Sequence, residues 1–201
     1  MVNIVDNLLF RLNLIVYNQQ VFTQSGGGTA LNSPVRDNFR HCMRRLAATV
    51  CVITCQHEGK RYGITATAVT SLCFDPVSIL VCINSSSSVL EPLLASGKYC
   101  INLLSLNHTR VSQSFSTPLS ADERFAVGEW QTNAHGVPYL CDAQATLFCE
   151  LEQTVAYATH HIVIGQVSDC QFSEAIAPLL YQNGAYVTST PLISAVAGLA
   201  I

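Results

Sequence analysis

The fold is decided by residues 50–72, VCVITCQHEGKRYGITATAVTSL. Residues 50–55 are rich in β-branched side chains, and residues 62–72 alternate in type, as the two faces of a strand do. Between them, His57-Glu58-Gly59-Lys60 has the composition of a turn. The stretch therefore predicts a β-hairpin.

The elements predicted on either side are mostly strands. The helical spacing of Phe39, Cys42 and Leu46 predicts a helix of about three turns after Pro34. Further strands are predicted at residues 77–84, 98–104, 143–158, 162–172 and 179–188, with short helices at 88–97 and 107–115 and a loop at 117–138. Many short strands with few helices are typical of an antiparallel barrel or sandwich.

The chain of 201 residues has the length of one ordinary domain. Because Ser25-Gly26-Gly27-Gly28 is a flexible break, we expect a peripheral extension at 1–33, a compact domain at 34–190 and a short apolar tail at 191–201. Residues 1–17 lack the basic start of a signal peptide. No apolar run approaches the ~20 residues of a membrane-spanning helix, which predicts no membrane partner.

Charge and cysteine content restrict the partners and the compartment. The net charge is −3, which argues against nucleic-acid binding, and only 11% of residues are charged, which favours a surface covered by a second copy of the chain. The nine cysteines form no C-x-x-C pair, and most lie in apolar runs. They are interpreted as buried, reduced thiols of a cytoplasmic protein, with no metal site.

The most informative polar stretch precedes a predicted helix. Ser88 and Glu91 have capping-box spacing, and Gly97 suits the end of that helix. Hydroxyls and backbone N–H groups at such a position suit an anion such as a phosphate. A polar loop with a good helix cap is the alternative interpretation. The residues concerned are Asn84, Ser85, Ser86, Ser87 and Ser88.

Two further stretches carry candidate ligand contacts. In Gly63-Ile64-Thr65-Ala66-Thr67-Ala68, small side chains and two hydroxyls on one strand face would let a flat ligand lie close to the backbone, unless threonine is there for its β propensity. His160 and His161 begin a predicted strand, so their rings should point to opposite faces. One could face a ligand, or both could be satisfied locally.

Together, these motifs resemble the short-chain flavin reductase family. The resemblance covers about residues 35–186. It is carried by Phe39-Arg40, Gly63-Ile64-Thr65-Ala66-Thr67-Ala68, Asp75-Pro76, Val81-Cys82-Ile83-Asn84, Arg124-Phe125, Trp130, Thr159-His160, Gly165-Gln166-Val167 and Leu180-Tyr181.

The resemblance implies a mainly β fold, a six-stranded antiparallel split β-barrel with Greek-key connections and a few flanking α-helices. It also implies a homodimer that uses NADH or NADPH to reduce FMN or FAD by hydride transfer, and that passes the reduced flavin to a separate monooxygenase. The family uses no glycine-rich dinucleotide motif, and none is present here.

The resemblance also assigns residues. Thr65, Ala66, Thr67 and Ala68 would line the flavin, and residues 84–88 would hold its phosphate and ribityl end. Phe125 would pack near the flavin or the nicotinamide. His160 would lie near the nicotinamide as the catalytic residue.

Two departures from the family pattern bear on nicotinamide binding and on the choice between NADH and NADPH, and the second favours an alternative function. Ala158-Thr159 replaces Gly-Asp before the histidine, and Gln182-Asn183-Gly184 lacks the arginine that commonly follows Tyr181. The alternative is a flavin-binding electron carrier without fast NAD(P)H turnover. A third interpretation, a purely structural domain, would make the hydroxyl strand and the serine loop coincidental.

Overall fold

The structure, a computed structural model, describes residues 34–191. The predicted extension at 1–33 and residues 192–201 of the tail lie outside the described residues. The helices are α1 (Pro34–Met43), α2 (Leu90–Ser96), α3 (Thr109–Ser116) and α4 (Ala121–Phe125), with a 3-10 turn at Leu106–His108. The strands are β1 (Ala48–Thr49), β2 (Cys51–His57), β3 (Lys60–Ala66), β4 (Val69–Phe74), β5 (Val77–Asn84), β6 (Lys98–Leu103), β7 (Trp130–Thr132), β8 (Pro138–Leu140), β9 (Ala145–Tyr157), β10 (His160–Phe172), β11 (Leu180–Gln182) and β12 (Ala185–Val187).

The fold is mainly β, as predicted, and is built on one large antiparallel sheet. Its strand order is β3-β2-β6-β9-β10-β5-β4. The predicted hairpin is confirmed: β2 pairs with β3, with Cys51 opposite Ala66 and His57 opposite Lys60. Strands β1, β11 and β12 form a small second sheet, and β7 pairs with β8.

The expectation of a six-stranded barrel is wrong in its strand count. The large sheet has seven strands, because the predicted strand at 62–72 ends at Ala66 and starts again at Val69. Its two parts, β3 and β4, lie at opposite edges of the sheet. These edges do not pair with each other in the described part of the chain, so the sheet is not a closed barrel.

Other predicted elements are confirmed or need correction. The predicted helix after Pro34 is α1, yet it buries no side chain, and Phe39 is 58% exposed. Helix α2 ends at Gly97, whose φ of 67° is a conformation that glycine adopts without strain. The predicted loop at 117–138 contains α4 and β7. The last predicted strand, at 179–188, is the small hairpin of β11 and β12.

Strand β2 is covered on both faces. Ile53 belongs to the main core cluster with Val81 of β5 and Val163 of β10, and α2 packs over this side. Its neighbour Val52 points the other way and packs with Phe115 of α3. Since both faces are buried, β2 is a continuous apolar run rather than an alternating one.

All nine cysteines lie among the described residues and are free thiols. Burial, predicted for the cysteines in apolar runs, is confirmed for Cys51, Cys55, Cys100 and Cys149, whereas Cys82 is only half-buried. The remaining four, Cys42, Cys73, Cys141 and Cys170, are exposed. Burial raises the pKa of Cys51, Cys55 and Cys149 to about 12.

The buried thiols should make the fold sensitive to alkali. The unfolded chain ionises its thiols near the ordinary pKa of 9.0, whereas the folded chain keeps them neutral up to about 12. Stability is therefore complete below that ordinary value and is lost as pH rises above it. For each such thiol, the free energy of unfolding should be lower by about 1.4 kcal/mol at about pH 10 than at about pH 8.

Urea unfolding at the two pH values measures this loss. Cys55→Ala should reduce the pH dependence by one thiol's share, whereas the matched exposed variant Cys170→Ala should leave it unchanged. Equal free energies of unfolding at both pH values would contradict the prediction.

Candidate functional site

Three of the predicted segments meet at one end of β5. Asn84, the last residue of β5, lies opposite His160 in the ladder between β5 and β10. On the other side of β5, the carbonyl of Ala68 accepts a hydrogen bond from the N–H of Cys82 over 3.0 Å. The hydroxyl strand, the serine loop and the histidine pair are thus neighbours, although they are far apart in the sequence.

The serine loop is organised by Asn84. Its Oδ1 accepts hydrogen bonds from the N–H and the hydroxyl of Ser86, at 2.9 and 2.8 Å. Its carbonyl accepts from the N–H of Ser87 over 2.9 Å. Ser87 is buried, whereas Ser85, Ser86 and Ser88 are exposed. The loop therefore presents exposed serines on a backbone that is held in place.

The predicted capping box between Ser88 and Glu91 is wrong. Helix α2 begins at Leu90, and its N-cap residue Val89 makes no side-chain cap. The turn before the helix is closed by Ser87, whose carbonyl accepts from the N–H of Leu90 over 3.1 Å and whose hydroxyl accepts from the N–H of Val89 over 3.5 Å. The start of the helix thus does not use the Ser88 side chain.

The two histidines differ in exposure, as alternate positions of a strand should. His160 is exposed, and its Nδ1 lies 2.9 Å from the Thr159 hydroxyl. His161 is half-buried, and its Nδ1 lies 3.3 Å from the Ser85 hydroxyl. The N–H of Ser85 also donates to the Thr159 carbonyl over 2.9 Å. These contacts tie the serine loop to the start of β10.

The hydroxyl strand is less open than its sequence indicates. The Thr65 hydroxyl donates to the Ser112 carbonyl over 2.7 Å, which anchors α3 on β3. A Cβ on Gly63 would lie 2.5 Å from the Phe115 ring, so this glycine makes room for a core side chain. Ala66 and Thr67 are half-buried and Ala68 is exposed, which leaves residues 66–68 accessible to a ligand.

Phe125 lies in a cluster of three aromatic rings. Its ring centroid lies 5.0 Å from that of Phe115 and 5.0 Å from that of Trp130, in edge-on arrangements. The side chain is only 6% exposed. The guanidinium of Arg61 lies 4.4 Å from the Phe125 ring centroid, in cation–π contact. A ligand would therefore meet Arg61 before it could stack on Phe125.

Arg124 fastens α4 to the sheet. Its two terminal nitrogens donate to the carbonyls of Gly63 and Thr117, both over 3.1 Å. Burial lowers its pKa, which still leaves it a cation at neutral pH. Helix α4 is started by a capping box between Ser120 and Glu123. That S-x-x-E spacing is the signal in the sequence that could have predicted this helix.

A cavity of about 410 Å³ opens beside the serine loop. It includes two of the predicted site residues, Ser88 and Phe125, whereas its basic residues were not predicted from the sequence to belong to a site. The residues that line it are Gly59, Lys60, Arg61, Tyr62, Gly63, Ser88, Leu119, Ala121, Asp122, Arg124 and Phe125. A basic pair directly after a glycine turn, Lys60-Arg61, is the signal that could have found it.

The donor set of the site suits an organic anion. It consists of serine hydroxyls, backbone N–H groups and imidazoles, with cations at the adjoining cavity. Among residues 34–191, no group of three or more His, Cys, Asp or Glu side chains is arranged to hold a metal ion. None of the described helices combines the length and apolarity needed to cross a bilayer.

Comparison with known proteins gives one consistent match. The family model described as "Flavin reductase like domain" matches residues 43–190. The reductase component of an FADH(2)-dependent resorcinol hydroxylase from a Rhizobium species is 42% identical over 159 residues, which cover 78% of this chain and 89% of that protein. The FMN reductase (NADH) RutF of Pseudomonas syringae is 38% identical over 148 residues, 74% of this chain and 83% of that protein.

Solved structures agree with the sequence matches. A flavin reductase from Haemophilus somnus superposes with a TM-score of 0.74 at 33% identity, covering 76% of this chain and 98% of the other. The flavin reductase PheA2 superposes with a TM-score of 0.68 at 30% identity, covering 77% of this chain and 97% of the other.

Proposed function

The chain belongs to the flavin reductase-like family, and on this premise we propose that it is an NAD(P)H-dependent flavin reductase that supplies reduced flavin to a partner oxygenase. The relatives named above are an FMN reductase that uses NADH and a reductase component of a hydroxylase. The observation that carries the proposal is the convergence of residues 65–68, 84–88 and 160–161 at one end of β5.

The residues present fit a flavin nucleotide. The loop that Asn84 organises would present the exposed Ser85 and Ser88 to a phosphate, whereas the N–H and the hydroxyl of Ser86 already donate to Asn84 Oδ1 and hold the loop in shape. Because the side chains at 66–68 are small, the edge of a flat ring system could reach the backbone N–H and C=O groups there. The Thr65 hydroxyl is already used by Ser112, so its contribution to a ring would be through its backbone.

When bound, the flavin would accept a hydride from the reduced nicotinamide. The task of the protein is then to hold two flat rings in contact and to exclude water, which needs no acid–base pair. His160, exposed and held by Thr159, is suited to position the nicotinamide next to the ring site.

The electron-carrier alternative is less favoured, because a positive charge from elsewhere in the chain acts on Tyr181. It was based on the missing cation after Tyr181. Burial and then the neighbouring Tyr186 raise the pKa of the Tyr181 phenol, and the positive charge of Arg44 opposes that rise. Asn183 donates its N–H to the Arg44 carbonyl over 3.1 Å, which joins this turn to the segment after α1.

We further infer a homodimer, formed through the outer face of the large sheet. The register aligns Val155, Ile162 and Cys82 on three neighbouring strands, and places Ile164 beside Leu80. Their neighbours Val81 and Val163 are fully buried, so these five side chains face outward. A monomer seldom leaves such a contiguous apolar surface uncovered. We also infer that this curled seven-stranded sheet corresponds to the split barrel of the family, and that the free thiols favour a cytoplasmic location.

Oxidation of NADH or NADPH by the purified chain, with added FMN or FAD, tests the proposed function. Loss of absorbance by the reduced nicotinamide should require added flavin, and the four combinations should identify the preferred cofactors. A rate no higher than that of flavin and nicotinamide without protein would overturn the enzyme, and flavin titration would then test the carrier.

Removing the His160 ring should slow the enzyme without stopping it. We expect His160→Ala to lower kcat/KM by about tenfold, the equivalent of one hydrogen bond in the transition state. His135→Ala, an exposed histidine between β7 and β8, is the matched control and should change neither kcat nor KM. An unchanged rate for His160→Ala, with unchanged thermal stability, would exclude a role for this histidine.

A charge on the outer face should separate the dimer. Ile162→Asp is expected to give a monomer in sedimentation equilibrium, because an unpaired buried carboxylate would disrupt the interface. Ile176→Asp makes the same change at a side chain that is 84% exposed and off this face, and should remain dimeric. If wild type and both variants sediment as the same species, this face is not the interface.

A further inference from the structure

The cavity beside the serine loop is more basic than the chain that forms it. The protein carries a net charge of −3, yet Lys60, Arg61 and Arg124 line this cavity against a single lining carboxylate, Asp122. At about 410 Å³, the cavity lies in the range of small-molecule sites. Such a concentration of cations in a chain with few charges indicates an anionic ligand.

The three cations are not equally available to a ligand. Arg124 is committed to the carbonyls of Gly63 and Thr117. Arg61 lies over Phe125 and forms an ion pair with Asp122, but the two groups are 4.0 Å apart, too far for a hydrogen bond, and the Asp122 side chain is fully exposed. Lys60 is exposed at the start of β3. Arg61 and Lys60 are therefore the residues able to bind a ligand.

The ligand class follows from what Arg61 offers and from what adjoins it. A guanidinium binds phosphate through paired N–H donors and stacks on flat rings, so it suits a phosphate next to a purine. Ser88 lines the same cavity and ends the serine loop, where the proposed function places the flavin phosphate. FMN ends at that phosphate, whereas FAD continues with a second phosphate and adenosine.

We propose that this cavity binds the adenosine diphosphate group of a dinucleotide, with Arg61 and Lys60 on the phosphate, and that it thereby favours FAD over FMN. The choice of FAD rests on the proposed function, because it is the serine loop that would direct the second phosphate into the cavity. NADH and NADPH carry an adenosine diphosphate group as well, and the experiment has to separate the two sources.

Binding measurements on the full-length protein test the proposal. Oxidised FAD and FMN are titrated by flavin fluorescence, and ADP is titrated by calorimetry. Wild type should bind FAD more tightly than FMN, and should bind ADP. Arg61→Gln should weaken FAD and ADP by about tenfold and leave FMN unchanged, because FMN lacks the second phosphate. Lys60→Gln should act in the same direction.

Arg110→Gln provides the matched control, since Arg110 is an exposed arginine on α3 that does not line the cavity. It should change none of the three affinities. Near-ultraviolet circular dichroism of each variant checks that the aromatic cluster around Phe125 is intact. If Arg61→Gln loses this signal, the affinities of Lys60→Gln for FAD and ADP test the proposal instead, because Arg61 is the cation that lies over the Phe125 ring.

The KM for NADH, measured with saturating FMN, separates the two sources. If Arg61→Gln raises this KM and leaves FAD binding unchanged, the adenosine diphosphate group bound is that of the nicotinamide cofactor. If ADP, FAD and NADH are all unaffected, the proposal is overturned while the flavin reductase remains. If wild type reduces no flavin, the proposed function fails, and the ADP titration alone decides whether the cavity binds this group.

Discussion

The curvature of the large sheet depends on the short link formed by Thr67 and Ala68. They join β3 to β4, which lie at opposite edges of a seven-stranded sheet. Three consecutive Cα steps from Ala66 to Val69 span at most about 11 Å. The sheet must therefore curl until its two edges approach each other at this point, although they do not pair. Register shifts within β10, after Ile164 and after Val167, accompany this curvature.

The curvature of the sheet brings segments that are distant in the sequence together at one site. It places the end of β3 beside β5, and the antiparallel ladder places the start of β10 on the other side of β5. Thr67 and Ala68 lie between β3 and β4 and belong to neither strand, so their backbone N–H and C=O groups are not all used in strand pairing and can contact a ligand. The core beneath is rigid, since β2 is buried on both faces and Phe115 packs against Gly63. A precise site at the rim of such a sheet suits a reaction that needs two rings held in contact.

The sequence predicted the parts that follow from local chemistry. The hairpin at 50–66, the end of α2 at Gly97 and the candidate segments at 65–68, 84–88 and 160–161 were all recognisable from residue type and spacing. The sequence could not show that the Thr65 hydroxyl donates a hydrogen bond to the Ser112 carbonyl, because that contact joins residues far apart in the chain. Nor could it show that α2 begins at Leu90 without a side-chain cap, since the spacing of Ser88 and Glu91 is compatible with a capping box. The positive charge that acts on Tyr181 comes from Arg44, near the start of the domain, so a search of the residues that follow Tyr181 could not find it.

A crystal structure of the full-length protein with FAD is the most direct test of the claim that these three segments form the flavin site. The account predicts the flavin ring against residues 66–68, its first phosphate on the loop at 84–88, and the imidazole of His160 at the open side of the ring. A flavin bound away from the end of β5, with the serine loop and His160 unchanged from their arrangement here, would contradict it.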